Sequence, residues 1–160
     1  MIKVIKGNIV EAQTDVIAHQ VNCQGVMRTG VAKDIRAKWP NVYHRYRKIY
    51  GRYYKFLRYY YNLGKCQYIS IKSSQNVLPR YIVNLFAQDD YGYDGKQYTD
   101  LDALERCFAN LGVFCEKNNY SLALPYKIGC GRGGADWDEV YKLIQIYFGK
   151  TEVDLWNLQE

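Results

Sequence analysis

The chain has 160 residues, and its 22 Lys and Arg residues outnumber its 16 Asp and Glu residues to give a formal net charge of +6. With 48% hydrophobic and 24% charged residues, the composition is typical of a globular protein and excludes an intrinsically disordered chain. We expect a single domain over residues 1–160. No apolar run is long enough for a membrane-spanning helix or a signal peptide, so we expect a cytoplasmic protein without membrane contact.

Cysteine and histidine usage predicts neither a metal site nor disulfide bonds. The five cysteines are odd in number, widely spaced and contain no CxxC pair, and the chain has only two histidines. Cys107 and Cys115 lie in an apolar pattern, where cysteine usually packs as a small hydrophobic residue. We therefore expect unreactive thiols, no metal and no cofactor.

The first half of the chain predicts four strands and two helices. Strands are indicated over residues 3–6, 16–18, 65–72 and 80–86, where β-branched, apolar and aromatic residues concentrate. Val31, Ile35 and Trp39 recur every four residues from Gly30 and predict a helix that Pro40 ends. A second helix is predicted over about residues 42–52, and residues 73–79 are typical of a turn.

The second half continues the alternation of helices and strands. Thr99 is a good N-cap for a long helix that Asn118 and Asn119 end, and a short buried strand follows at residues 122–124. After a glycine-rich loop at 127–135, Asp136 with Glu139 predicts a capping box for a last helix, with Gly149 at its C-terminal cap. A final strand is predicted over residues 153–158. Strands interleaved with helices predict a layered α/β fold.

A basic segment covers residues 28–61 and admits two interpretations. Between Arg28 and Arg58, ten Lys and Arg residues accompany a single acid, Asp34, and tyrosines are interleaved through residue 61. Such a segment could bind phosphates and stack on bases, as single-strand nucleic-acid binders do. The alternative is a helix whose tyrosines cover the core and whose cations are solvated. The helical spacing favours this second interpretation.

Two loops are candidates for a ligand site. The first, residues 19–32, follows the strand at 16–18, and the second, residues 125–135, follows the strand at 122–124. Each ends at a predicted helix N-terminus, where free backbone N–H groups bind anions, and glycines let a phosphate approach closely. If the two strands are neighbours, the loops can hold a diphosphate between them. Neither loop is a P-loop or a dinucleotide fingerprint.

The segments HQVNCQGVMRTGVAKDIRAKWP (19–40) and LPYKIGCGRGGADW (124–137) resemble those of macro domains. The resemblance covers nearly the whole chain. It is strongest to the branch with terminal ADP-ribose protein glycohydrolases, yeast-type ADP-ribose-1″-phosphate phosphatases and small phage proteins. It implies a three-layer α/β/α fold with a mixed central sheet and ADP-ribose in a cleft at the strand ends.

The same resemblance implies the ligand-binding residues. Asn8 takes the place of an aspartate that accepts the adenine amino group, the backbone N–H of Ile9 lies beside it, and Trp156 aligns with an aromatic residue near the adenine. Asn22 matches an asparagine that faces the distal ribose. The two diphosphate loops are matched by Gly30, Val31 and Ala32, and by Ile128, Gly129, Cys130, Gly131, Arg132 and Gly133.

His19, Asn22 and Asp136 are the candidate catalytic residues. His19 matches a histidine implicated in catalysis in the yeast-type phosphatases, and a hydrogen-bonded core histidine is an equal alternative. For Asp136, a plain N-cap role is favoured over catalysis. Arg132 is either a phosphate partner or a solvated cation. Cys130 is either an activated thiol or, as we favour, a packing residue.

Three positions depart from the catalytic patterns of the family. Thr29 replaces the aspartate of the mono-ADP-ribosylhydrolase loop, Gln88 falls near the lysine that attacks the ribose in the terminal glycohydrolases, and Gly133 replaces their second-loop aspartate. A glutamine cannot form the covalent intermediate that such a lysine provides.

These observations predict a monomer that binds ADP-ribose or its derivatives and hydrolyses a group at the 1″ position. ADP-ribose 1″-phosphate is the expected substrate, and O-acetyl-ADP-ribose or ADP-ribosylated macromolecules are other candidates. A non-catalytic ADP-ribose reader is the alternative. A further alternative is a nucleic-acid-binding module that uses the basic segment, and weak nucleic-acid contact there is compatible with either.

Overall fold

A computed structural model describes residues 1–49, 62–71 and 76–158, and it shows one sheet with helices on both faces. The strands are β1 (Ile2–Lys6), β2 (Val16–Asn22), β3 (Cys66–Ser70), β4 (Tyr81–Gln88), β5 (Leu122–Pro125) and β6 (Val153–Asn157). The helices of the described ranges are α1 (Gly30–Lys38), α2 (Pro40–Lys48), α3 (Leu101–Asn118) and α4 (Trp137–Tyr147). A 3₁₀ turn at Ile9–Glu11 follows β1.

The sheet is mixed, in the order β1-β6-β5-β2-β4-β3. The pairs β1–β6, β6–β5, β5–β2 and β2–β4 are parallel, and β3 pairs with β4 in the antiparallel direction. The carboxyl ends of β2, β4 and β5 therefore meet at one edge of the sheet, which is where parallel sheets place ligand sites.

Alternating side chains of β2 divide the core into two layers. Val16 and Ala18 pack in a cluster with the apolar stripes of α3 and α4, whereas Ile17 packs with Ile35 of α1 and Val42 of α2. Because side chains along a strand point to opposite faces, this split shows that α1 and α2 cover one face and α3 and α4 the other. The prediction of a three-layer α/β/α fold with a mixed sheet is confirmed.

Three predicted element boundaries are corrected. β2 continues to Asn22, so His19 and Asn22 lie on the strand and the first loop begins after it. Asp100, not Thr99, is the N-cap of α3, and its side chain accepts from the Ala103 N–H at 2.9 Å. The cap that ends α4 is Phe148, and Gly149 does not have the positive φ of a left-handed cap. The 3₁₀ turn had no predicted counterpart.

Several predictions fall outside the described residues. They concern the end of the second helix beyond residue 49, the tyrosine-rich part of the basic segment at 50–61, and residues 72–75 of the predicted third strand and turn.

The described ranges contain no group of side chains that could hold a metal ion. All five cysteines are free thiols, and Cys23, Cys107 and Cys115 are buried. Within the same ranges, no helix combines the length and the apolarity that crossing a membrane requires.

Candidate functional site

A cleft of about 500 Å³ lies at the edge of the sheet where β2, β4 and β5 end. Its lining comes from three stretches of chain: the end of β2 with the loop into α1, the residues after β4, and the loop after β5. Because β2 pairs directly with β5 through Val16 and Ile17, the two predicted ligand loops flank the same cleft. The condition set by the sequence, that the two strands are neighbours, is met.

The first loop presents the N-terminus of α1 to the cleft. Thr29 is the N-cap of α1 but makes no side-chain capping hydrogen bond. The N–H groups of Gly30, Val31 and Ala32 donate to none of the described residues. Gly30 has a φ of +58°, a conformation that favours glycine. Free amides in the first turn of a helix form an anion-binding site.

The second loop has a similar set of free amides. Its internal hydrogen bonds use the N–H groups of Ile128, Cys130, Gly134 and Ala135. Those of Gly131, Arg132 and Gly133 donate to no residue in the described part of the chain. Successive amides of this kind form a concave nest for anions. The cleft therefore has free backbone amides on two sides.

A partly buried polar relay holds the second loop against the sheet. The Gln20 side-chain Nε2 donates to Gln88 Oε1 at 2.7 Å and to the Thr99 hydroxyl at 2.8 Å, and that hydroxyl donates to the Gly129 carbonyl oxygen at 2.8 Å. The N–H groups of Tyr98 and Thr99 donate to the Gly133 carbonyl oxygen. The relay thus joins β2, the end of β4 and both ends of the glycine-rich turn.

The charged side chains of the cleft lining are all cationic. Arg28, Lys127 and Arg132 line it, and no carboxylate of the described residues does. Arg132 is exposed, donates from Nη1 to the Tyr93 hydroxyl at 3.2 Å, and lies 4.5 Å from the centre of the Tyr93 ring. This pair joins the second loop to the loop after β4. The lining favours a ligand with negative charge.

His19 lies on β2 in the floor of the cleft and is only 1% exposed. Its Nε2–H donates to Asn84 Oδ1 at 2.7 Å, and the Asn84 amide is oriented by its own donation to Gln67. Burial lowers the pKa of His19 to about 4, and the hydrogen bond to Asn84 opposes that shift only in part. The imidazole is therefore neutral near pH 7. Its Nδ1 is a buried acceptor without a partner among the described residues.

The Asn22 side chain is part of a tight turn beside the cleft. Its Oδ1 accepts from the Gln24 N–H at 2.9 Å and from the Tyr46 hydroxyl at 2.8 Å, and its Nδ2 donates to the Val26 carbonyl oxygen at 2.9 Å. Tyr46 is fully buried. These bonds fix the path of the chain from β2 into the first loop.

Two other candidates lie outside the cleft lining. Asp136 is the N-cap of α4, and its Oδ1 accepts from the Glu139 N–H at 3.1 Å, which confirms the predicted capping role. Burial raises the pKa of the Cys130 thiol to about 11, and the nearby charge of Asp136 acts in the same direction. The raised pKa disfavours an activated Cys130 thiol and favours the packing role.

The predicted adenine-side residues form a group of their own next to α1. Asn8 caps the 3₁₀ turn, because its Oδ1 accepts from the Val10 N–H at 3.2 Å, and its Nδ2 donates to Asp34 of α1 at 3.1 Å. The N–H of Ile9 donates to none of the described residues. Trp156 packs against the cluster that contains Ile9. The structure brings these three together, but none of them lines the cleft.

Ten of the predicted site residues do line the cleft. They are His19, Asn22, Gly30, Val31, Ala32, Ile128, Gly129, Gly131, Arg132 and Gly133. The roles assigned to them remain predictions.

Sequence reasoning missed the loop that follows β4. Tyr91, Gly92 and Tyr93 line the cleft together with Gln88, which had been noted only as a departure. Residues 80–86 were predicted as a strand, but nothing in the sequence gave its direction. If the sequence had shown that β4 runs parallel to β2, the loop after β4 could have been predicted to lie at the edge of the sheet where β2 ends.

Comparison with known proteins supports the arrangement. The family profile described as "Macro domain" matches residues 18–144. A DNA ADP-ribosyl glycohydrolase of Mycobacterium tuberculosis is 27% identical over 156 residues, which cover 96% of this chain and 41% of that protein. This chain spans about two fifths of the length of such curated relatives. A protein of Enterobacteria phage T4, "Uncharacterized 17.5 kDa protein in tk-vs intergenic region", is 26% identical over 96% of this chain and 94% of its own length.

Solved structures show the same fold. The macrodomain of Thermus aquaticus DarG superposes with a TM-score of 0.77 at 26% identity, covering 100% of this chain and 99% of its own. Thermosipho africanus DarTG in complex with ADP-ribose gives a TM-score of 0.77 at 20% identity, over 98% of this chain and 41% of its own.

Proposed function

This chain belongs to the macro domain family, and from that premise we propose that its cleft binds ADP-ribose or a derivative of it. The observation that carries the proposal is the pair of free-amide loops on two sides of one cleft, at α1 and after β5. A diphosphate presents oxygens to both loops at once, and the cationic lining adds charge complementarity.

We further propose that the cleft hydrolyses a group at the 1″ position of the distal ribose. For ADP-ribose 1″-phosphate, water adds to phosphorus, the bond from phosphorus to the ribose oxygen breaks, and ADP-ribose and inorganic phosphate leave. His19 is the residue we assign to accept the proton of that water, at the free Nδ1. A base with a pKa of about 4 is weak near pH 7, so most of the rate comes from orientation.

The Mycobacterium tuberculosis relative carries the name DNA ADP-ribosyl glycohydrolase, which makes an ADP-ribosyl group on DNA a second candidate substrate. The bond cleaved then joins the 1″ carbon to the nucleotide. Gln88, whose side chain is held between Gln20 and the Asp90 carbonyl oxygen, cannot form a covalent intermediate, so water would attack directly.

A non-catalytic reader is the second candidate function, and one observation favours it. The cleft lining holds no carboxylate, and its histidine is buried and neutral. General acid–base chemistry is thus reduced to one weak base, whereas both loops keep free amides for a diphosphate.

One experiment separates these functions. ADP-ribose 1″-phosphate is followed by ³¹P NMR with the wild-type protein, with His19→Ala, and with AMP as a phosphomonoester control that lacks the diphosphate. We expect shifted diphosphate signals and phosphate release that falls at least about tenfold in His19→Ala. Shifted signals without release would leave the reader or an enzyme that cleaves another 1″ bond, such as the one to DNA. No shift with ADP-ribose 1″-phosphate or with ADP-ribose would overturn the binding proposal.

A further inference from the structure

A second cavity, of about 550 Å³, lies between α1 and α2 beside the cleft. We refer to it as the α1–α2 groove, and its lining includes Arg28, Lys33, Arg36, Tyr43 and His44. Arg28 also lines the cleft. The two cavities therefore meet at Arg28, and a chain lying in the groove can lead into the cleft.

The positive charge of the groove is not neutralised by the protein. Arg28, Lys33 and Arg36 form no ion pair with any residue in the described ranges. The one acid between residues 28 and 49 is Asp34, which accepts from Asn8 on the 3₁₀ turn and does not line the groove. Three unpaired cations side by side attract a chain that carries repeated negative charge.

Planar side chains distinguish the kind of polyanion that fits. The Arg36 guanidinium lies 3.8 Å from the centre of the Tyr43 ring, and the His44 ring centre is 6.2 Å from that of Tyr43. On the far side of the cleft, Arg132 lies over Tyr93 in the same way. Cations alone suffice for an acidic peptide, whereas cations interleaved with flat rings match the alternating phosphates and bases of a single strand.

We propose that the α1–α2 groove binds single-stranded DNA, so that a nucleotide of the bound strand reaches the cleft at Arg28. The proposal rests on the proposed function, because it places the strand where an ADP-ribosyl group attached to it would enter the cleft. Lys33 and Arg36 contact phosphates, and Tyr43 with its stacked arginine supports a base.

The test measures the anisotropy of a fluorescein-labelled 12-nucleotide single-stranded DNA at low salt, with wild-type protein and two charge variants. The groove variant is Lys33→Glu with Arg36→Glu. The matched control is Lys117→Glu with Lys142→Glu, which makes the same change in net charge at exposed, unpaired residues of α3 and α4. We expect the groove variant to bind at least about tenfold more weakly and the control to change less than about twofold.

Three results would overturn the proposal: equal weakening in both charge variants, no DNA binding by the wild type, or equal competition by polyglutamate or by RNA of the same sequence. The aromatic contribution is tested by Tyr43→Leu, which should weaken binding about tenfold while net charge is unchanged.

Calorimetry with ADP-ribose on the same preparations keeps the two proposals apart. Lys33 and Arg36 do not line the cleft, so the groove variant should retain ADP-ribose binding. ADP-ribose binding without DNA binding would overturn the proposal for the α1–α2 groove and leave the proposed function standing. Groove-dependent DNA binding without ADP-ribose binding would overturn the proposed function and leave the groove as a DNA site.

Discussion

His19 has a buried, unprotonated Nδ1 that accepts no hydrogen bond from any described residue. The ring is fixed from one side by Asn84, so its Nε2 keeps the proton and its Nδ1 keeps the lone pair. A buried acceptor of this kind is costly unless a bound ligand supplies a donor. His19 is therefore compatible with a structural role in the core and with a hydrogen bond to a bound ligand. Its titration can be measured directly.

His19 predicts how stability depends on pH. Its folded-state pKa, about 4, lies below the ordinary value of 6.5, so between these values the unfolded chain binds a proton that the folded protein excludes. The free energy of unfolding is thus at its full value above pH 6.5 and falls as the pH drops. Between pH 7 and pH 5 we expect a loss of about 2 kcal/mol, measured by urea denaturation.

His19→Gln is the comparison for that measurement, because glutamine keeps a polar side chain but does not titrate. The difference between its stabilities at pH 7 and pH 5 should be much smaller than in the wild type. An equal loss in both proteins would show that His19 is not the group responsible.

At the scale of elements, the second loop depends on glycines that leave no room for a side chain. A Cβ at Gly133 would overlap the Thr99 hydroxyl and the Gly129 carbonyl oxygen, whereas a Cβ at Gly131 would meet nothing within 4 Å. Neither glycine has a positive φ. The two positions therefore differ in packing alone, which makes them a matched pair.

We expect Gly133→Ala to destabilise the protein by about 1–3 kcal/mol and to weaken ADP-ribose binding, since it displaces the loop whose amides face the cleft. Gly131→Ala should leave the free energy of unfolding within about 0.5 kcal/mol of the wild type. Thermal melts and calorimetry with ADP-ribose measure both effects. Similar melting temperatures for the two variants would contradict this description of the loop.

The N-cap of α4 allows the two roles of Asp136 to be separated. Asp136→Ala removes the hydrogen bond to the Glu139 N–H and should cost about 1 kcal/mol of stability, while Asp136→Asn retains the cap. Because Asp136 does not line the cleft, hydrolysis by Asp136→Asn should match the wild type. Slower hydrolysis at unchanged stability would restore Asp136 as a catalytic residue.

The sequence predicted the existence of these elements better than their ends. Apolar spacing indicated α1, α3 and α4 because their apolar residues recur at helical intervals, and in α3 and α4 these residues form a buried stripe. It did not show that β2 extends to Asn22, because His19 and Gln20 are polar although buried or half-buried. Threonine is a good N-cap, so the sequence favours Thr99 as the cap of α3, but its hydroxyl donates to the Gly129 carbonyl oxygen instead.

At the scale of the whole molecule, the candidate site depends on strand order. Two glycine-rich loops near helix starts could be found in the sequence, because glycine and helix capping are local signals. The loop with Tyr91 and Tyr93 could not, because its place follows from β4 running parallel to β2 while β3 runs antiparallel. Strand direction is set by long-range packing and leaves no local signal.

The charge of the cleft predicts how ADP-ribose binding depends on salt. Arg28, Lys127 and Arg132 attract the diphosphate without an opposing carboxylate in the lining. Raising NaCl from about 50 mM to about 500 mM should therefore weaken binding several-fold, because the Debye length shortens. Calorimetry at each salt concentration measures this dependence. Arg132→Gln should reduce it and Lys142→Gln should not, and an affinity independent of salt would contradict a charge-assisted cleft.

The relay from Gln88 through Gln20 and Thr99 to the Gly129 carbonyl oxygen means that these positions cannot change independently. Each of these side chains hydrogen-bonds to another one. A first substitution therefore leaves a polar group without its hydrogen bond, and a second substitution can restore that bond. Across related chains, the amino acids at positions 20, 88 and 99 should therefore covary. In a related chain where one of these three residues has changed, we expect the other two to change before the sequence of the glycine-rich turn does.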